Sequence, residues 1–190
     1  MAAARIHAFG GPDEVRIEAV AAPRPRQGEL LVKVLAASVN PVDYKIRQGK
    51  YPEVQANALP YTLGRDACGE VAELGEGVTG FNVGEPVFAM LGIERGGHAE
   101  YAIVLAEEAV AAPGTDARIA GAVPLAGMTA WQGLFRYGGL QAGQRVLIHG
   151  GAGGVGHFAI QFAKARGAFV VTTVSHPDID FARALGADQV

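Results

Sequence analysis

Cysteine is nearly absent from this chain. Cys68 is the only one, so no intrachain disulfide framework can form, and its expected role is that of a small core residue beside a strand. Long apolar runs are missing too: none approaches the ~20 residues that a membrane-spanning helix needs. Met1-Ala2-Ala3-Ala4-Arg5 lacks the apolar centre of a secretory signal. There is no basic cluster, and the net charge of -3 argues against nucleic acid as the main partner. Repeats and low-complexity segments are also lacking. These absences leave a soluble, cytosolic protein as the expectation, with 49% apolar residues to build its core.

Glycine, by contrast, is plentiful at 27 residues, and its placement matters more than its number. Arg145-Val146-Leu147-Ile148-His149 reads as a short apolar strand. Gly150-Gly151-Ala152-Gly153-Gly154-Val155-Gly156 follows, and Gly151, Gly153 and Gly156 fit G-x-G-x-x-G. From Val155 the period changes. Val155, Phe158, Ala159, Phe162 and Ala163 recur at helical spacing, and Gly167 stands where a helix-ending glycine is wanted. Residues 168–174 read as a second strand. Strand, glycine turn, helix and strand form a βαβ unit of dinucleotide-binding type. A pyrophosphate needs backbone N–H groups at close range. A helix N-terminus supplies them with a favourable dipole, and side chains on the turn would hold the phosphates away. Gly151, Ala152, Gly153, Gly154, Val155 and Gly156 are therefore candidate cofactor contacts.

The end of the second strand bears on which dinucleotide binds. NAD-binding folds place an acid there to accept from the ribose 2′-OH. This strand ends Thr172-Thr173-Val174-Ser175-His176, and the first carboxylate, Asp178, comes beyond a proline. The missing acid permits NADPH, with Thr173, Ser175 and His176 as candidate contacts and no clear arginine partner. His149 and His157 flank the loop and read as packing or surface residues.

The rest of the chain is rich in short strands. Residues 5–9 and 15–20 read as strands joined by the turn Gly10-Gly11-Pro12-Asp13. Residues 30–37 form a strongly apolar strand. Asn40 then caps a short helix with Pro41 in its first turn and Gly49 at its end. Residues 51–60 read as an irregular loop. Further strands are expected over residues 70–75, from Pro86, and over 99–104, with glycine turns between them, which suggests a barrel-like β domain. Past Pro113 the composition turns alanine-rich and helical over 116–123 and 125–137, interrupted at Pro124. The boundary is expected within residues 112–125, dividing 1–120 from 121–190.

Taken in order, Asn-Pro-Val-Asp with Arg-x-Gly, Leu-Gly-Arg-Asp, Gly-Gly-His-Ala-Glu-Tyr, Ala-Gly-Met-Thr-Ala and Gly-Gly-Ala-Gly-Gly-Val-Gly form a specific series. The chain resembles the medium-chain dehydrogenase/reductase superfamily, in its zinc-independent quinone oxidoreductase branch. The resemblance implies an α/β protein: an N-terminal GroES-like β-barrel catalytic domain, then a Rossmann domain, with NADPH in the cleft and a homodimer built through later Rossmann strands. It also sets out departures from the zinc alcohol dehydrogenases. The position matching Asn40 is there a zinc-ligand cysteine, and the position matching Arg65 a zinc-ligand histidine with an acidic neighbour, here Asp66. The third ligand cysteine and the four-cysteine zinc lobe have no counterpart. Asparagine and arginine do not replace thiolate and imidazole, so no zinc is expected.

Without a Lewis acid, the chemistry implied is hydride transfer from NADPH to a quinone or an α,β-unsaturated carbonyl. By resemblance, Asn40 lies near nicotinamide and substrate and donates from its amide to a developing oxyanion, Tyr44 orients substrate or donates a proton, and Thr129 contacts the nicotinamide amide. Arg65 and Asp66 read as a structural ion pair. An enoyl-thioester reductase and a non-catalytic NADPH-binding protein are the alternatives. Two Rossmann strands alone would expose apolar faces and an open edge, so the Rossmann portion is expected to be incomplete at Val190.

Overall fold

The apolar strand expected over residues 30–37 is Glu29–Ala36 (β3), and the first unit is organised on it. In the computed structural model, which describes residues 1–190, that unit runs Met1–Leu125 and a second runs Ala126–Val190. β3 is flanked by Asp66–Leu74 (β5) and Tyr101–Leu105 (β7). Pro86–Met90 (β6) and Val110–Ala111 (β8) extend the sheet beyond β5, giving the antiparallel order β7-β3-β5-β6-β8. Leu30, Val32, Val71, Val87 and Val104 form its core at no more than 1% exposure. Each such side chain contributes roughly 1.5–3 kcal/mol relative to leaving it in water.

β5 begins four residues before the expected strand because Gly69 permits close pairing. A Cβ there would lie 1.9 Å from the Lys33 carbonyl oxygen on β3. A second sheet has the order β2-β1-β4, with Ala2–Ile6 (β1), Arg16–Ala19 (β2) and Tyr61–Thr62 (β4). β1 sits earlier than expected. Its alanines are recruited by pairing, with Ala2 opposite Ala19 and the Ala4 carbonyl accepting from Leu63 N at 3.1 Å. Tertiary partners override the weak strand preference of alanine here.

Asn40 precedes the short helix Pro41–Arg47 (α1), and Gly49 beyond its end has φ +69°. Ala117–Ala122 (α2) packs on β3 and β5; a Cβ at Gly121 would approach Ala36 to 3.1 Å. Pro124 opens the next helix, Pro124–Trp131 (α3), where its missing N–H costs nothing. The helical run then continues to Tyr137 as a π-helical segment, Gln132–Tyr137.

In the second unit, Arg145–His149 (β9) and Phe169–Thr173 (β10) pair in parallel, from Arg145↔Phe169 to His149↔Thr173. Gly156–Ala165 (α4) makes the crossover. It buries Gly156, Ala159, Ile160 and Ala163, while Val155 stays 39% exposed, so the inner face is rotated toward Ile160 from the one expected. Gly167, at φ +82°, closes α4: its N–H reaches Lys164 O, and Ala168 N reaches Ala163 O. A further helix, Ile179–Ala184 (α5), follows, and beyond it the Asp188 carboxylate accepts from Val170 N at 2.6 Å and Lys164 Nζ at 2.8 Å. No helix is long and apolar enough to cross a membrane.

Candidate functional site

Where β9 ends, the chain turns at Gly150, whose φ is +69°. The glycines of the turn divide into two kinds. A Cβ at Gly151 would stand 2.1 Å from Thr172 Oγ1, the buried hydroxyl that donates to Ile148 O. A Cβ at Gly156 would stand 2.1 Å from Gly150 O. These two are needed for the strand, turn and helix to close on one another. At Gly153 the nearest atom is Gly150 O at 3.2 Å, and at Gly154 nothing lies within 4 Å. Those two, with Val155 exposed beside them, leave the outer face of the turn bare at the start of α4. Backbone without side chains at a helix N-terminus fits a pyrophosphate.

The end of β10 is stitched to this turn. Thr173 Oγ1 lies 3.1 Å from His149 Nδ1 and accepts from Gly150 N at 3.3 Å, while Gly151 N donates to Thr173 O at 3.0 Å. Thr173 thus spends its hydroxyl on the turn itself. Ser175 and His176 are exposed beyond it. Pro177 lies in a single 3-10 turn, His176–Asp178, and the Ser175 hydroxyl donates to the Asp178 carboxylate. The Ser-x-x-Asp spacing makes this contact local.

In the first unit Asn40 is 8% exposed and bound into a polar cluster. Asp66, fully buried, is its centre. Its Oδ2 accepts from the Ser38 hydroxyl and from Asn40 Nδ2, the latter at 2.8 Å, and its Oδ1 accepts from Leu125 N at 2.8 Å. Burial pushes the Asp66 carboxyl above its ordinary value, against the pull of these three donors. Asn40 Nδ2 also donates to Ser38 Oγ at 2.8 Å. Asp43, buried in the first turn of α1, accepts from Asn40 N at 2.7 Å and Gly64 N at 3.2 Å. His98 Nε2 lies 2.9 Å from Ser38 O, so that nitrogen carries the proton.

One N–H of Asn40 points at the adjoining Ser38 Oγ and Asp66 Oδ2, which leaves its second N–H outside that pair. One expectation changes here. Arg65 and Asp66 form no ion pair: Arg65 Nε donates to Leu91 O at 2.9 Å, while Asp66 turns into the buried face of β5. Ser38 and Asp66 are hydrogen-bonding neighbours of Asn40 that the sequence reading missed. Tyr44 is 48% exposed on α1, and Thr129 lies on the exposed side of α3 in the second unit. Cys68 is buried with Ala112 and Ala120 as a small core residue.

A two-sheet β unit followed by a parallel βαβ with a bare glycine turn defines an α/β dinucleotide-binding protein. The alcohol dehydrogenase GroES-like domain family matches residues 26–114. The chain is 37% identical to a chloroplastic quinone-oxidoreductase homolog of Spinacia oleracea, covering 100% of this chain and 62% of that protein. It superposes on the quinone oxidoreductase of Coxiella burnetii with a TM-score of 0.92 at 39% identity, covering 100% of this chain and 61% of that one. The Escherichia coli quinone oxidoreductase complexed with NADPH gives 0.89 at 30% identity, covering 100% and 58%. The chain thus spans about six-tenths of the length of these relatives. It belongs to the medium-chain dehydrogenase/reductase superfamily, in the quinone oxidoreductase branch.

Proposed function

We propose that this chain binds NADPH on the turn Gly151–Gly156 and carries substrate-side residues of a zinc-independent reductase. Its substrate would be a small quinone or an α,β-unsaturated carbonyl. The observation that carries the reading is the bare turn, where Gly153 and Gly154 expose backbone at the N-terminus of α4 while Gly151 and Gly156 are fixed by packing. NADPH, when bound, supplies the hydride.

The residues of the chain supply position and electrostatics. The turn and the first N–H groups of α4 hold the pyrophosphate. Asp66 and Ser38 hold the Asn40 amide in place within the first unit. The Tyr44 hydroxyl is the candidate donor to oxygen on the substrate as that oxygen gains charge. Thr129 offers a hydroxyl to the nicotinamide amide.

The test is a fluorescence titration with NADPH, then NADPH oxidation with a panel of small quinones and enones. Saturable NADPH binding and quinone-dependent oxidation are expected. Turnover confined to enoyl thioesters would move the assignment to that class of reductase, and binding without turnover of any acceptor would leave a dinucleotide-binding protein.

A further inference from the structure

We infer that Asp66 and Ser38 are positioning residues that fix which way round the Asn40 amide stands, so that the second N–H of Asn40 is the one left to meet oxygen on a bound substrate. The inference rests on the reductase reading proposed above, and it names what orients one donor of that site.

An asparagine amide has two orientations that exchange its nitrogen and oxygen and fill almost the same space, so its surroundings choose between them. A helix N-cap asks only for the side-chain oxygen. At Asn40 it is the nitrogen edge that is held. Nδ2 lies 2.8 Å from Asp66 Oδ2 and 2.8 Å from Ser38 Oγ. The Ser38 hydroxyl gives its own proton to the same Asp66 oxygen, so toward Asn40 its Oγ is only an acceptor. The reversed amide would set its oxygen against a carboxylate oxygen and a hydroxyl oxygen with no proton between them.

The frame around the amide is itself fixed. Asp66 is fully buried, and its other oxygen, Oδ1, accepts from Leu125 N at 2.8 Å, so the carboxylate cannot swing away. Arg65 gives its Nε to Leu91 O and does not compete for that carboxylate. The backbone on either side is tied as well: Asn40 N donates to Asp43 Oδ2 at 2.7 Å, and Ser38 O accepts from His98 Nε2 at 2.9 Å. A donor held in one direction needs no reorganisation when charge develops on a substrate oxygen, and there it is worth most. An amide free to turn would meet that oxygen with its own oxygen part of the time.

Exchange at position 66 reverses the frame. In Asp66→Asn, Leu125 N still requires an oxygen, so the new amide nitrogen faces Asn40, whose oxygen must turn to meet it. The experiment compares the parent, Asp66→Asn, Ser38→Ala, Asn40→Ala and the double variant of Asp66→Asn with Asn40→Ala, each confirmed folded by thermal melting. It measures NADPH dissociation constants by fluorescence titration and kcat for quinone-dependent NADPH oxidation. Asp66→Asn should lower kcat about tenfold or more while NADPH affinity stays within about twofold, and Ser38→Ala, which keeps the carboxylate, should lower kcat less. Once Asn40 is alanine, exchange at position 66 should change kcat by less than about twofold. The NMR signals of the Asn40 side-chain amide give a readout independent of turnover. One of its two protons should exchange slowly with solvent in the parent and lose that protection in Asp66→Asn, and in Ser38→Ala should Asp66→Asn not fold. Losses of kcat that multiply in the double variant, or protection unchanged in the folded variants, would overturn the inference. A parent that protects this proton yet oxidises NADPH with no acceptor would sink the reductase reading, and the use of the amide in catalysis with it.

Discussion

Asp66 is a carboxylate with no cation beside it, ionised only at the cost of burial and held by three neutral donors. Its raised value fixes the sign of a pH effect. The folded state holds the proton more tightly than the unfolded chain does, so this group's contribution to stability is fully present below the ordinary carboxylate value. It is lost as pH rises through the raised one. Relative to a variant that cannot titrate there, the parent should thus gain stability as pH falls from neutral toward about 4. Asp66→Asn is that variant. Its amide nitrogen must face either the Asn40–Ser38 pair or Leu125 N, leaving a buried donor unpaired at a cost of about 1–3 kcal/mol at neutral pH. Urea denaturation of both proteins at several pH values measures the two effects together. A constant difference across pH would show that Asp66 is not titrating in the folded state. None of this was legible from sequence. Arg65 and Asp66 are adjacent, and adjacency suggested a pair, but Arg65 lies in the bend before β5 while Asp66 is its first, buried residue. The bend lets Arg65 reach the Leu91 carbonyl while Asp66 turns inward.

At the level of the element, the strand–turn–helix–strand was legible almost to the residue. Its signals are local: an apolar run, glycines at fixed offsets and a change of period. The strands of the first unit were legible in kind but displaced at their ends, because their limits depend on partners distant in sequence, as Gly69 beside Lys33 and Ala4 beside Leu63 show. The turn offers a contrast that separates packing from binding. Gly156→Ala places a methyl group against Gly150 O and should destabilise the second unit, visible as a lower melting temperature. Gly154→Ala meets no protein atom and should melt like the parent, yet weaken NADPH about tenfold or more if the outer face of the turn is where the pyrophosphate lies. Parent-like NADPH affinity in Gly154→Ala would place the pyrophosphate elsewhere.

Across the whole molecule, the residues that could bind a metal remain dispersed. No three histidine, cysteine, aspartate or glutamate side chains gather into a set able to hold an ion. At the positions where the related alcohol dehydrogenases are expected to use cysteine and histidine, this chain has an amide whose nitrogen donates to Asp66 and a guanidinium that cannot ligate. Purified protein should carry far less than stoichiometric zinc by elemental analysis, and chelators should leave NADPH oxidation unchanged. One tightly held zinc per chain would refute this. The first unit runs on past the shift to alanine-rich sequence at Pro113, through α2 to Leu125, because that helix lies on β3 and β5. The shared carboxylate of Asp66 has a consequence for how such a chain can change over generations. Ser38, Asn40 and the backbone of Leu125 all depend on the same two oxygens, so no one of these side chains can drift without leaving another donor stranded. Positions 38, 40 and 66 should therefore be inherited as a set. A library randomised at all three should return folded members only in matched combinations, with single exchanges between such combinations failing where complete exchanges succeed.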